Sequence, residues 1–329
     1  MFTRESIFEA YRNTRVLVLG ANGFIGRWVS RLLTSAGSEL SLGVRDPELA
    51  RQVFKAYRVD GVVYGLDAGD STQVESLFSE VKPQITFNLA GYGVDPRQRD
   101  ERDAARINAE LPSFCCQVLS RGRDRNWNGQ AIVHVGTAAE YGRATGDLRE
   151  ETHPEPFTLY GLSKLEGTRW FTECCRNFSV PGLTARLFTI YGPGEHPGRL
   201  LPSLLHAASG SDNLDLTSGK QERDFTYVED AAEGLLRLGL ISTAPGNVIN
   251  LATGRLYSVR HFVLEAARIL SINIERLHFG ALPDRDDEMH HDPVNNSRLK
   301  TLTEWQPDTD IAGGISQTLQ FLETAGLVK

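Results

Sequence analysis

Residues 15–26 read "RVLVLGANGFIG": an apolar run from Val16 to Leu19, then glycines at 20, 23 and 26, with a helical pattern continuing through "RWVSRLLTSAG". No other stretch constrains the fold as firmly. A strand that is apolar on both faces needs cover on both sides. A glycine turn leading straight into a helix makes that cover helical. The unit predicts the first βα step of a layered sheet, not a hairpin or a bundle.

The first half of the chain repeats this rhythm. "LSLGVRD" reads as a second strand, "DSTQVESLFSEV" as a helix and "PQITFNLAG" as a strand. "ERDAARINAELPSFCCQVL" reads as a helical stretch broken or restarted near Pro112, "AIVHVGTA" as a strand, and "LTARLFTIYG" as another after an intervening helix. Strands spaced by helices predict an α/β fold, a doubly wound parallel sheet with helices on both faces. After "YGPGEHPG" the pattern loosens. Residues 193 to about 222 and 275–329 are richer in Pro, Gly and Asp and predict a smaller mixed C-terminal lobe. Between them, "RDFTYVEDAAEGLLRLGL" and "NVINLAT" read as a helix and a strand that return to the sheet. The expected division is 1–190, with a return segment of about 223–256, against 191–329, with the ligand site in the cleft between them.

Gly20, Gly23 and Gly26 let a backbone approach a pyrophosphate, and the helix that follows offers free N–H groups to it. Dinucleotide binding is the expectation. At the end of the second strand an acid would bind the adenosine ribose of NAD. Here Val44 stands at about that place, followed by Arg45, and a guanidinium suits the 2'-phosphate of NADP(H). Asp46 complicates this, since it either orients Arg45 or meets a ribose itself. The expectation favours NADP(H), with NAD as the alternative. Asp67 and Ala68 follow the third strand, where adenine would lie. Leu89 and Ala90, in "NLAG", end the fourth strand, where small residues allow close approach.

"VHVGTAAEYG" places Thr137 at the C-terminal edge of the sheet, and "TLYGLSKLEG" sets Tyr160 and Lys164 one helical turn apart. The three have a joint chemistry. A lysine ammonium would lower the pKa of the tyrosine toward neutrality, the tyrosine would exchange a proton with a substrate oxygen, and the threonine would hold that oxygen in place.

These motifs, with "ARLFTIYGPG" and "RDFTYVEDAAEGLLRL" in the same order, resemble the extended short-chain dehydrogenases/reductases. The similarity is to their nucleotide-sugar epimerase, dehydratase and 4-ketoreductase branch, and it spans about Arg15 to Leu322. It implies a Rossmann domain, an NAD(P) cofactor, a nucleotide-sugar substrate and a homodimer. It makes Tyr160 the catalytic acid/base, Thr137 its partner and Lys164 the holder of the nicotinamide ribose. Phe24 and Ile25 would meet the pyrophosphate through their backbones. Asn108 and Phe188 would line the nicotinamide end, and Arg223 and Arg285 would contact the nucleotide diphosphate. Thr189 stands where many relatives have Asn. Ala138 and Ala139 replace the Asp-Glu pair that dehydratases need, which argues against dehydration. The resemblance implies an NADPH-dependent 4-ketoreductase of 4-keto-6-deoxyhexoses. An NAD-dependent 4-epimerase is the alternative, ahead of a non-sugar carbonyl reductase or a dinucleotide sensor.

Composition excludes some partners. A net charge of -7 gives no electrostatic reason to expect nucleic acid or an anionic membrane. The opening "MFTRESIFEAYRNTR" lacks a signal-peptide core, which predicts a cytoplasmic protein. Cys115-Cys116 and Cys174-Cys175 have no metal-ligand spacing and read as buried thiols, so no metal is expected. His290-His291 reads as part of a solvated loop.

Overall fold

The computed structural model describes residues 3–93, 98–284 and 288–327. Seven strands form its central sheet: β1 (Arg15–Leu19), β2 (Glu39–Val44), β3 (Val62–Gly65), β4 (Ile85–Asn88), β5 (Ile132–Thr137), β6 (Gly182–Leu187) and β7 (Asn247–Leu251). Their order is β7-β6-β5-β4-β1-β2-β3, and every pairing is parallel. The sheet is the doubly wound one expected. In β1, Val16 and Val18 join one buried cluster while Leu17 and Leu19 join another on the opposite face. Alternate side chains of one strand thus serve two cores, which is why the strand is apolar throughout.

The helices are α1 (Arg4–Tyr11), α2 (Phe24–Ala36), α3 (Pro47–Tyr57), α4 (Ser71–Val81), α5 (Glu101–Ala104), α6 (Leu111–Gly122), α7 (Leu159–Phe178), α8 (Leu200–Ser209), α9 (Val228–Leu240), α10 (Val259–Leu270), α11 (Ser297–Thr303) and α12 (Ile311–Thr324). The return of α9 and β7 to the sheet is as expected, with Asn247 opposite Leu183 and Leu251 opposite Leu187. The opening segment folds as α1 and is tied to the rest of the chain. Thr3 caps α1, Ile7 and Tyr11 are buried, and the Tyr11 hydroxyl donates to Leu236 O at 2.8 Å.

Of the break or restart expected near Pro112, the structure shows a restart without a break. Helical turns run from Glu101 to Gly122, with a π-helical stretch over Ala105–Glu110 and Pro112 in the first turn of α6. Proline has no N–H to offer the carbonyl of Asn108, four residues back, so the helix widens there rather than ending. A Cβ on Gly167 would lie 1.9 Å from that same carbonyl oxygen, so α7 packs against the widened turn.

Helix α12 packs on α2 and α3: Phe321 lies 5.0 Å from Trp28 and 4.8 Å from Tyr57, ring centre to ring centre. All four cysteines are free and buried. Those that approach belong to different helices, with the sulfurs of Cys116 and Cys175 3.7 Å apart. Among the described residues no helix is long and apolar enough to cross a membrane.

Candidate active site

β1 and β4 are neighbours in the sheet although the chain leaves them in opposite directions, so the carboxyl ends of these strands form a crevice. Gly20 turns there with φ +75°, and a Cβ on it would meet Ala90 N and the Leu89 carbonyl at 2.9 Å. Leu89 and Ala90 thus wall the glycine turn. A Cβ on Gly26 would meet Gly20 O at 2.2 Å, which holds α2 tight against the same turn. Gly23 caps α2 without a side-chain acceptor, leaving the first N–H groups of the helix for a ligand.

A cavity of about 440 Å³ opens beside this turn, lined by Phe24, Ile25, Thr137, Ala138, Ala139, Tyr160, Phe188, Thr189 and Arg223 among others. Thr137 ends β5, and Tyr160 lies in the first turn of α7, whose N-cap Thr158 accepts from Gly161 N at 3.0 Å. A Cβ on Gly161 would come within 2.4 Å of Ala139 O. Only glycine lets the start of α7 sit against the turn that carries Thr137.

That turn is locked from beneath. Thr137 N donates to Glu140 Oε1 at 2.8 Å, and Thr137 Oγ1 accepts from Ala139 N at 3.2 Å. Glu140 is wholly buried and accepts from Arg186 Nε at 2.9 Å, while the Arg186 guanidinium stacks 4.5 Å above the Tyr141 ring. The Thr137 hydroxyl reaches the Tyr160 phenol. Lys164, buried one turn further along α7, donates from Nζ to Val135 O at 2.5 Å. The structure therefore brings Thr137, Tyr160 and Lys164 together.

Their electrostatics differ from the expectation. Burial is the largest influence on the Tyr160 phenol and pushes its pKa up to about 12, with the Thr137 hydrogen bond opposing only in part. Burial also lowers Lys164 to about 8, partly countered by Glu140. The correction is physical. Desolvation penalises both charged forms, and the ammonium is turned toward a backbone carbonyl, so Tyr160 keeps its proton. Beneath Lys164, the buried His134 has its pKa held well below the usual histidine range, first by burial and then by that ammonium.

The other expected residues vary. Arg45 follows β2 with its side chain exposed. Asp46 caps α3, accepting from Glu48 N and Leu49 N at 3.1 Å, which accounts for it without Arg45. Asp67 pairs with Arg106 at 3.3 Å, next to Ala68. Asn108 is buried away from the cavity. It clamps Tyr92 N and O at 2.9 and 2.8 Å, and donates to Ser163 Oγ at 2.9 Å. Arg223 lines the cavity and is ion-paired with Glu288. Arg285 lies outside the described residues. His290 is exposed as expected, and His291, half-buried in the same loop, also lines the cavity, 6.2 Å from the Phe188 ring.

Several residues that shape the cavity were not anticipated. Asp224 is buried and accepts from Thr253 N at 2.9 Å and Gly254 N at 2.7 Å, pinning the loop after β7 beside the site. Glu195 and Arg199 also line it.

A model of the family described as "NAD dependent epimerase/dehydratase family" matches residues 16–252. The chain is 29% identical over 262 residues to the dTDP-6-deoxy-L-talose 4-dehydrogenase (NAD(P)(+)) of Kitasatospora kifunensis, covering 76% of this chain and 77% of that one. It is 26% identical over 200 residues to the uncharacterized UDP-glucose epimerase YtcB of Bacillus subtilis, covering 59% of this chain and 61% of that protein. Its fold matches a UDP-glucose 4-epimerase with UDP-glucose from Thermotoga maritima, with a TM-score of 0.81, 20% identity, and coverage of 94% and 98% of the two chains. The family match takes in the glycine turn, the Thr137 strand end and the Tyr160 helix alike, and this chain belongs to the NAD dependent epimerase/dehydratase family.

Proposed function

We propose that the protein is an NADPH-dependent reductase of the C4 keto group of a nucleoside-diphosphate-linked 4-keto-6-deoxyhexose. The observation that carries this reading over others in the family is the end of β2. There Val44 is buried, Asp46 is exposed but engaged as a helix cap, and Arg45 is exposed, a guanidinium suited to a 2'-phosphate. The Kitasatospora relative, named for oxidation at C4 of a dTDP-6-deoxyhexose, supports the same chemistry run in reverse.

The residues fit a dinucleotide: the Gly20 cradle is closed to any Cβ, and the start of α2 is uncapped by a side chain. When bound, a nicotinamide cofactor supplies hydride to the carbonyl carbon. Tyr160, with its proton held to about pH 12, donates that proton to the C4 oxygen, so the ketone becomes an alcohol. Thr137 holds the same oxygen, and the Glu140 lock keeps Thr137 in place. Lys164 would hold the nicotinamide ribose. Ala138 and Ala139 offer no acid or base for eliminating water.

Falling NADPH absorbance with such a ketosugar, in proportion to product, tests the reading; no consumption refutes it. The second reading is a 4-epimerase that retains NAD, supported by the Bacillus subtilis relative's name. The complete Thr137, Tyr160, Lys164 set argues against a sensor, which needs no proton donor. We further propose a homodimer through the outer face of α7, where Leu162 and Trp170 are 52% and 41% exposed. Sedimentation at the monomer mass would refute that.

A further inference from the structure

We infer that Glu195 is a substrate-positioning residue whose uncommitted carboxylate oxygen accepts a hydrogen bond from a hydroxyl of the hexose, one other than the oxygen served by Tyr160 and Thr137. This rests on the nucleotide-sugar reading and assigns the hexose a second contact.

The Glu195 side chain is only 8% exposed, yet it lines the cavity that holds Tyr160 and Thr137. Its Oε2 is covered and has no hydrogen-bond partner among the described residues. Its Oε1 lies 3.7 Å from Arg199 Nε, beyond a normal hydrogen bond. A buried acceptor left without a donor is costly and rare, and at the wall of a ligand cavity the missing donor belongs to the ligand.

The carboxylate is also held in place. Trp28 Nε1 donates to Pro193 O at 2.9 Å, and Gly194, at φ +91°, lies so close to α2 and α3 that a Cβ would meet the Tyr57 hydroxyl at 2.4 Å. The loop is thus fixed at the two residues that lead into Glu195, as a positioning group requires.

The chemistry selects the partner. A carboxylate accepts from hydroxyls and repels a diphosphate, and Glu195 lines the same cavity as Tyr160 and Thr137. Glu195 therefore faces the end of the ligand where the reaction occurs, and the neutral, hydroxyl-bearing part of a nucleotide-sugar is its hexose.

The test is binding, measured by calorimetry without turnover. UDP-glucose, dTDP-glucose, CDP-glucose and GDP-mannose are compared with the matching free nucleoside diphosphates. For whichever pair binds, Glu195→Ala should weaken the nucleotide-sugar about tenfold to hundredfold and the diphosphate less than about threefold. Glu195→Gln, which fills the same volume and keeps one neutral acceptor, should give an intermediate and equally selective loss. Equal loss for sugar and diphosphate, or no loss for either, overturns the role of Glu195 and leaves the nucleotide-sugar reading standing. If the parent binds none of the nucleotide-sugars, that reading fails and this assignment fails with it.

Discussion

The backbone N–H of Thr137 donates to the carboxylate of Glu140 at 2.8 Å, across the turn that follows β5. Because Glu140 is wholly buried and bonded to Arg186, the position of the threonine is set by a buried ion pair rather than by solvent-exposed loop contacts. Removing one partner of such a pair strands the other charge. Glu140→Ala should lower stability by about 3–5 kcal/mol, measured by urea unfolding, and should reduce turnover as Thr137 loses its anchor. A loss below about 1 kcal/mol would contradict the lock.

Tyr160→Phe should reduce turnover by about 10²–10⁴-fold while leaving cofactor affinity within a few-fold, since only the phenolic proton is removed. Steady-state kinetics and a cofactor titration check both halves. Near-normal turnover would remove Tyr160 from the proton-donor role.

Arg45→Ala should weaken NADPH about tenfold to hundredfold and NADH little, because only NADPH offers a phosphate to the guanidinium. Fluorescence titration with each cofactor decides it. Equal losses would make Arg45 a surface side chain with no part in selection.

Burial holds the Glu195 carboxyl up at about 7, against an ordinary value of 4.5, with Arg199 opposing. The folded state therefore binds this proton more tightly than the unfolded chain does. Its contribution to stability is greatest below about pH 4.5 and declines as pH rises toward about 7. Glu195→Gln cannot ionise, so its melting temperature relative to the parent should rise between about pH 5 and pH 8. A difference that stays constant with pH would show that the carboxyl is not perturbed as described.

The sheet and the site's three central residues were legible because short-range patterns carry them: a strand with two apolar faces, a glycine turn and a one-turn helical spacing. Two further signals were present and went unread. Thr137 and Glu140 stand at the spacing of a capping box, and Asp46-Pro47 is a helix start that accounts for α3 and for Asp46 itself. Glu195 and Asp224 left no local signal. Their roles depend on burial and on partners distant in the chain, Trp28 and Tyr57 for the Glu195 loop and Thr253 for Asp224. The protonated state of Tyr160 was misread for a related reason: spacing places Lys164 one turn away, but only the fold shows that burial is the largest influence on the phenol and that the ammonium is turned to Val135 O.

The most direct measurement is the fate of the hydride. The protein is given NADPH deuterated at the transferred position, with a nucleotide-linked 4-keto-6-deoxyhexose, and the product is examined by NMR. The account predicts one deuterium at C4 per NADPH oxidised, and loss of that product in Tyr160→Phe. Tightly held NAD, together with interconversion of C4 epimers without added cofactor or label, would contradict it and establish the epimerase instead.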